Sequence, residues 1–254
     1  MLKVSLGSVK STAIQAIVVA AFLIGWQLSR SLNVISSLFL AAPSDILSGS
    51  WLSNFSNTFT YFQVTITEVV LAYVIAAVSG VAIGLFLGQS SYLRKVLDPF
   101  IIWGYSIPKI AIFPIFMLFF GLGETSVIAY ASMSAFFVIL LNTITGVQGI
   151  EVELIRVGQM LGFNAYQKYT KIALPSMVPI LFSGLRQGLI QAVLGSLVAE
   201  LVMASVGVGS LIDNLSYAFK TTELYAIISI ISLAMIAVNM ALLKVESSLS
   251  FWRQ

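Results

Sequence analysis

The chain has 254 residues, of which 59% are hydrophobic and 9% charged, where a soluble domain carries roughly 25% charged. With a mean hydropathy of +1.00 it lacks the polar residues to cover a water-facing exterior, which excludes most soluble enzymes and nucleic-acid binders. The net charge is +3, and the chain contains neither His nor Cys; this removes disulfides, thiolate metal sites, and the commonest metal ligand and acid–base catalyst.

The pI near 9.1 does not point to nucleic acid. Lys and Arg sit mainly in short segments between long apolar runs, as in loops governed by the positive-inside rule. Crossing ~30 Å of hydrocarbon takes roughly 20 residues in a helix, and several runs are that long. The first predicted span covers residues 12–28, and its length and polar flanks fit a retained helix rather than a signal peptide. A polar stretch, 29–60, follows. In it Pro43-Ser44-Asp45 reads as a helix start, and 45–59 reads as a short interfacial helix with Trp51 and Phe55 toward lipid.

The second span is 65–88, where Gly80, Gly84 and Gly88 share one helix face and admit a close neighbour. Residues 89–98 read as a loop carrying Arg94 and Lys95. The third apolar region, 96–120, holds Pro99, Pro108 and Pro114, which remove backbone donors and kink helices. Such breaks are tolerated at membrane depth where protein or a wet cavity satisfies the freed groups. A turn at 121–124 leads to a fourth span, 125–147.

The longest polar segment is 148–175. Two short helices fit it, 151–161 and 164–173, with Gly162 as the stop of the first, Asn164 as the cap of the second and Pro175 near its end. The fifth span is 180–203, a Gly207-Val208-Gly209 loop follows, and the sixth span is 224–243. The fold class is therefore all-α: one polytopic membrane domain over 1–254, with core spans within about 60–245. With the N-terminus inside, the inner segments gather Lys3, Lys10, Arg94, Lys95, Arg156, Lys168, Lys171, Lys244 and Arg253, and the outer ones only Arg30 and Lys220. Both termini and 148–175 are thus expected in the cytoplasm.

There is no phosphate-binding glycine loop and no nucleophile–base pair. The in-span carboxylates Glu68 and Glu200 lie at the predicted outer ends of their helices and are not evidently paired. No catalytic, metal or ion-coupling site is expected in this chain. In 148–175, however, Val157, Met160, Leu161, Phe163, Tyr166 and Tyr169 are too apolar for a solvated loop, and suit a knob seated in a partner's groove.

That segment carries a resemblance. Gly162, Ile172, Leu174 and Pro175 match the G-x(9)-I-x-L-P part of the EAA loop of permease subunits of bacterial ATP-binding-cassette importers. Ser106-Ile-Pro108, Phe113-Pro114-Ile-Phe, Phe120-Gly121-Leu-Gly123-Glu124, Ser183-Gly-Leu-Arg186, Ala199-Glu200, Gly207-Val-Gly209 and the closing Glu246 with Trp252-Arg253 resemble the nitrate/sulfonate/taurine branch, as does Ala42-Pro43-Ser44. The resemblance runs from about Leu40 to the end. One departure stands out: the family's Glu-Ala-Ala falls at Arg156-Val157-Gly158, so a basic residue replaces the acid, and Glu153 stands one turn earlier as its candidate substitute.

The resemblance implies a type I importer permease in the bacterial inner membrane. Its partners would be ATPase subunits that bind ATP and Mg, a second permease copy, a solute-binding protein and membrane lipid. Glu153, Arg156, Gly158, Gly162, Phe163, Tyr166, Ile172, Leu174 and Pro175 would couple to the ATPase. Tyr105, Ser106, Pro108, Lys109 and Glu200 are the candidate path residues. Lys109 has two readings, a cation facing a wet cavity or a side chain snorkelling to an interface. Arg186 reads as a cytoplasmic-end anchor, and Ser134 and Asn142 as helix-to-helix hydrogen bonders. Nitrate, a sulfonate, taurine, bicarbonate or a neutral heterocycle all remain open as substrate. The alternative class is a self-sufficient secondary carrier or channel, which would want an ion-coupling site and an internal repeat.

Overall fold

In the computed structural model, residues 6–49, 55–203 and 206–249 are described. Among them the regular elements are helices: α1 (Leu6–Ser31), α2 (Pro43–Leu47), α3 (Phe55–Gln89), α4 (Ser91–Ser106), α5 (Lys109–Phe120), α6 (Glu124–Gln148), α7 (Val152–Met160), α8 (Ala165–Lys168), a π-helical segment (Tyr169–Ala173), α9 (Leu174–Met203), α10 (Val208–Tyr217) and α11 (Thr221–Leu249). Five are long and apolar enough to cross a membrane, or six if the bent pair α4 and α5 is counted as one span.

The chain divides into two compact units, residues 1–59 with 212–231, and residues 60–211 with 232–254. In the first, Trp26 holds the segment after α1: its indole N–H donates to the Ala41 carbonyl at 2.9 Å, and its ring lies 5.8 Å from that of Tyr225. Thr221 donates to the Ser37 carbonyl, and Tyr225 to that of Phe39.

The second unit is built around α6, with 61% of its most apolar window buried. The glycines of α3 repeat every fourth residue, and so do the α6 residues they meet: Gly80 lies on Ile139, Gly84 on Thr143 and Gly88 on Val147. A Cβ on Gly84 would come within 2.6 Å of Thr143 Cβ. On α9, Gly184, Gly188 and Gly195 meet Asn142, Ile139 and Ala131 in the same way. Helix α6 is thus packed between α3 and α9. In lipid, where apolar burial between helices gains little, such van der Waals contact holds them together. Helix α5 adds Phe113, fully buried and edge-on to Tyr130 at 5.1 Å.

Three expectations are corrected, and the proline-rich region is refined. Residues 91–98 are helical, not a loop: the Ser90 hydroxyl caps α4 by accepting from the Leu93 N–H, and Arg94 pairs with Asp98 one turn on at 3.3 Å. The interfacial helix over 45–59 is a five-residue α2, and α3 begins at Phe55, ahead of the predicted 65. Trp51, Lys3, Trp252, Arg253 and the side chains of Phe55 and Tyr169 lie outside what is described. Of the three prolines, Pro99 and Pro114 sit inside helices, and the chain breaks at Pro108, where α4 and α5 meet with a bend of 94°. Finally, Pro175 does not end a helix. The π segment before it widens the turn where its missing N–H falls, and helical structure runs on through α9.

Candidate functional site

The 148–175 segment is a preformed apolar surface. Gly162, at φ +70°, ends α7 in a left-handed turn that a side chain would strain. The Phe163 N–H donates to the Gly158 carbonyl and the Gly162 N–H to that of Gln159, which is the Schellman arrangement. Asn164 and Gln167 then cap each other: Asn164 Oδ1 accepts from the Gln167 N–H at 2.8 Å, and Gln167 Oε1 from the Asn164 N–H at 3.0 Å. Gly158 is buried, and a Cβ there would lie 2.5 Å from Ile172 Cδ1, so Gly158 lets α7 lie flat on the π segment.

With the backbone so fixed, Met160 is 86% exposed and Tyr166 75%, and Leu161, Val152 and Val157 are also exposed. Phe163 differs from them. It is half-buried against Gly158, with Lys171 Nζ 5.1 Å from its ring centre. Glu153 and Arg156 are exposed, as is Leu174, and Pro175 is half-buried at the start of α9. A cavity of about 210 Å³, lined by Leu85, Gln89, Val147, Ile155, Ile172 and Met177, lies under this segment.

At the α4–α5 break, Tyr105, Ser106 and Pro108 are exposed and Lys109 is half-buried. The Lys109 ammonium donates to the Ser134 carbonyl of α6 at 3.2 Å and stands 5.6 Å from the Tyr105 ring centre. The ion pairs among the described residues are Arg94–Asp98 and Arg186–Glu246, so no carboxylate neutralises Lys109 there. Arg186 holds Glu246 of α11 at 3.2 Å. Asn142 donates to the Val138 carbonyl of its own helix, not to a neighbouring one.

Glu200 forms no ion pair with Lys109. It is fully buried near the C-terminal end of α9, inside a cage of donors. The Thr65 hydroxyl of α3 donates to its Oε1 at 2.6 Å, and the Gly209 N–H to its Oε2 at 2.6 Å. Thr65 in turn accepts from the Val208 N–H at 2.8 Å. Glu68, one turn along α3 from Thr65, is 1% exposed and neighbours Glu200. The two carboxylates, not evidently paired in the sequence, are thus neighbours in the fold. The available signal was their shared predicted depth at the outer ends of two spans. The Gly207-Val-Gly209 motif now has a physical reason: a Cβ on Gly207 would strike the Glu200 carboxyl group, and one on Gly209 would lie 2.5 Å from the Leu197 carbonyl oxygen.

Comparisons with known proteins agree with this architecture. Residues 80–245 match the family described as "Binding-protein-dependent transport system inner membrane component". A Bacillus subtilis protein named as an aliphatic sulfonates transport permease is 31% identical over 97% of this chain and 88% of its own length. The taurine transport system permease of Escherichia coli is 27% identical over 92% of this chain and 87% of its own. The nitrate import permease of Synechococcus elongatus is 28% identical over 74% and 71%. Among solved structures, the MetNI methionine ABC transporter in an inward-facing form superposes with a TM-score of 0.65 over 74% of this chain and 93% of that chain, at 17% identity, a likeness of fold alone. The family match spans most of the chain and the relatives are permease proteins of transporters, so this chain belongs to the binding-protein-dependent inner-membrane component family, the permease subunits of ABC importers.

Proposed function

We propose that this permease carries a small anionic solute inward, of the sulfonate, taurine or nitrate kind. Two copies, or this chain and a relative, flank the path, since each supplies one docking segment for one of two ATPase subunits. ATP and Mg bind those subunits, and this chain performs no covalent chemistry. A solute-binding protein delivers substrate at the outer face. Both termini and 148–175 face the cytoplasm, so the Glu200 end of α9 faces out.

The observation that carries the coupling part is the rigid, outward-facing apolar surface of Met160, Leu161 and Tyr166, held by the Gly162 turn and the Asn164–Gln167 cap. When ATP closes the ATPase dimer, a surface held this firmly transmits the movement to α9 and shifts the permease between inward and outward access. The anionic part rests on Lys109, which lacks a neutralising carboxylate among the described residues at a helix break. A half-buried cation with no counter-charge is costly in hydrocarbon and favourable beside a passing anion. The carrier reading is not favoured, because the relatives are permease proteins of binding-protein-dependent systems.

The test uses the assembled transporter in proteoliposomes. Lys109→Met should lower uptake of an anionic substrate several-fold while ATP hydrolysis without binding protein stays near normal; unchanged uptake sinks the anion path. Orientation is read by thiol labelling of Gln159→Cys in a chain with no native Cys. Labelling from the outside alone would reverse the topology.

A further inference from the structure

The Glu68–Glu200 pair is left unused by the coupling segment and by Lys109. Glu200 receives the Thr65 hydroxyl on one oxygen and the Gly209 N–H on the other, both at 2.6 Å. It is surrounded by donors and acts as the acceptor. Glu68 Oε2 is buried, and no N–H or O–H of the described residues reaches it. Two neighbouring carboxyl groups this deeply buried, with no cation paired to either among the described residues, do not both carry a charge, so one of them holds a proton. With both Glu200 oxygens already accepting, the chemistry assigns that proton to Glu68. The ion pairs among the described residues involve neither residue, so no cation offsets a second charge.

We propose that Glu200 is a positioning residue: as a carboxylate held by Glu68 acting as a neutral donor, it locks α3, the end of α9 and the first turn of α10 into one body. Val208 and Gly209 are the first two residues of α10, and their amide groups are tied respectively to Thr65 and Glu200. Gly207 and Gly209 supply the close approach that this geometry needs. The clasp stays closed through the transport cycle, and movement is left to other joints such as the α4–α5 break.

The two carboxyl groups then have different chemical needs, and isosteric amides separate them. Glu68→Gln keeps a donor toward Glu200. Glu200→Gln puts an NH₂ group where two donors already point. In the assembled transporter, Glu68→Gln should keep uptake within about twofold of wild type, and Glu68→Leu should lose it by about tenfold. Glu200→Gln should lose at least about tenfold, with amide hydrogen exchange rising in the peptide holding Val208 and Gly209. Thr65→Ser should preserve that protection, and Thr65→Val should lose it. If only Glu200→Gln fails to assemble, the asymmetry stands, and the Thr65 pair still reads the clasp. Equal failure of Glu68→Gln and Glu200→Gln overturns the proposal and points to two charges around a bound cation. Wild-type uptake and exchange in Glu200→Gln overturns it as well.

Discussion

The two ends of α9 meet the rest of the chain in opposite ways. At its C-terminal end, Glu200 is fully buried, the Thr65 hydroxyl and the Gly209 N–H are directed at its two oxygens, and two glycines bring backbone against carboxyl group. At its N-terminal end, helical structure continues through a π segment into a surface where Met160, Leu161 and Tyr166 stand in solvent above a cavity of about 210 Å³. One end spends its polar groups inside the chain; the other leaves apolar groups uncovered. An exposed apolar surface this ordered marks a place for a partner, and a buried network of hydrogen bonds marks a joint that resists opening. Under the proposed function, the contrast separates the end where the permease is held from the end where an ATPase would act on it.

The strongest way to break the contrast is Gly209→Ala. Its Cβ would sit 2.5 Å from a backbone carbonyl of α9, which has no rotamer to move aside. A loss of about 3 kcal/mol is expected from overpacking and loss of the Glu200 contact, read as a collapse in the yield of assembled protein. Next is Gly162→Ala. The +70° φ disfavours a β-carbon by about 1–2 kcal/mol, so the segment should loosen without unfolding the spans. Faster amide exchange over 158–168, with unchanged exchange at Val208 and Gly209, would sharpen the distinction between the two ends. The smallest effect is expected for Arg186→Met. The Arg186–Glu246 pair keeps 22% and 24% side-chain exposure, so about 1 kcal/mol or less is at stake, read as a shift of a few degrees in thermal unfolding in detergent.

The local signals were legible in the sequence. Gly162 at a left-handed stop, Asn164 as a cap and the fourfold spacing of Gly80, Gly84 and Gly88 each act through a few neighbouring residues, and each has the geometry expected. What misled were signals that tertiary or neighbouring structure outweighs. Arg94, Lys95 and Asp98 look like a loop because they are charged, yet charges four apart support a helix at an interface. Pro175 looks like a terminator, yet the preceding π turn removes the need for its N–H. The Glu68–Glu200 contact joins two helices far apart in the chain, and no periodicity within either one announces it.

The central claim is that the exposed surface of 148–175 is where force from an ATPase enters. Tyr166 tests it most directly, because it is 75% exposed and so bears little of the segment's own packing, unlike half-buried Phe163. With the cognate ATPase co-expressed, Tyr166→Asp should give a permease of normal yield that retains its ATPase at least about tenfold less tightly, since a charge replaces an aromatic anchor that the docked ATPase would bury. A Tyr166→Asp complex that retains its ATPase like wild type, and hydrolyses ATP in response to loaded binding protein, would contradict the account.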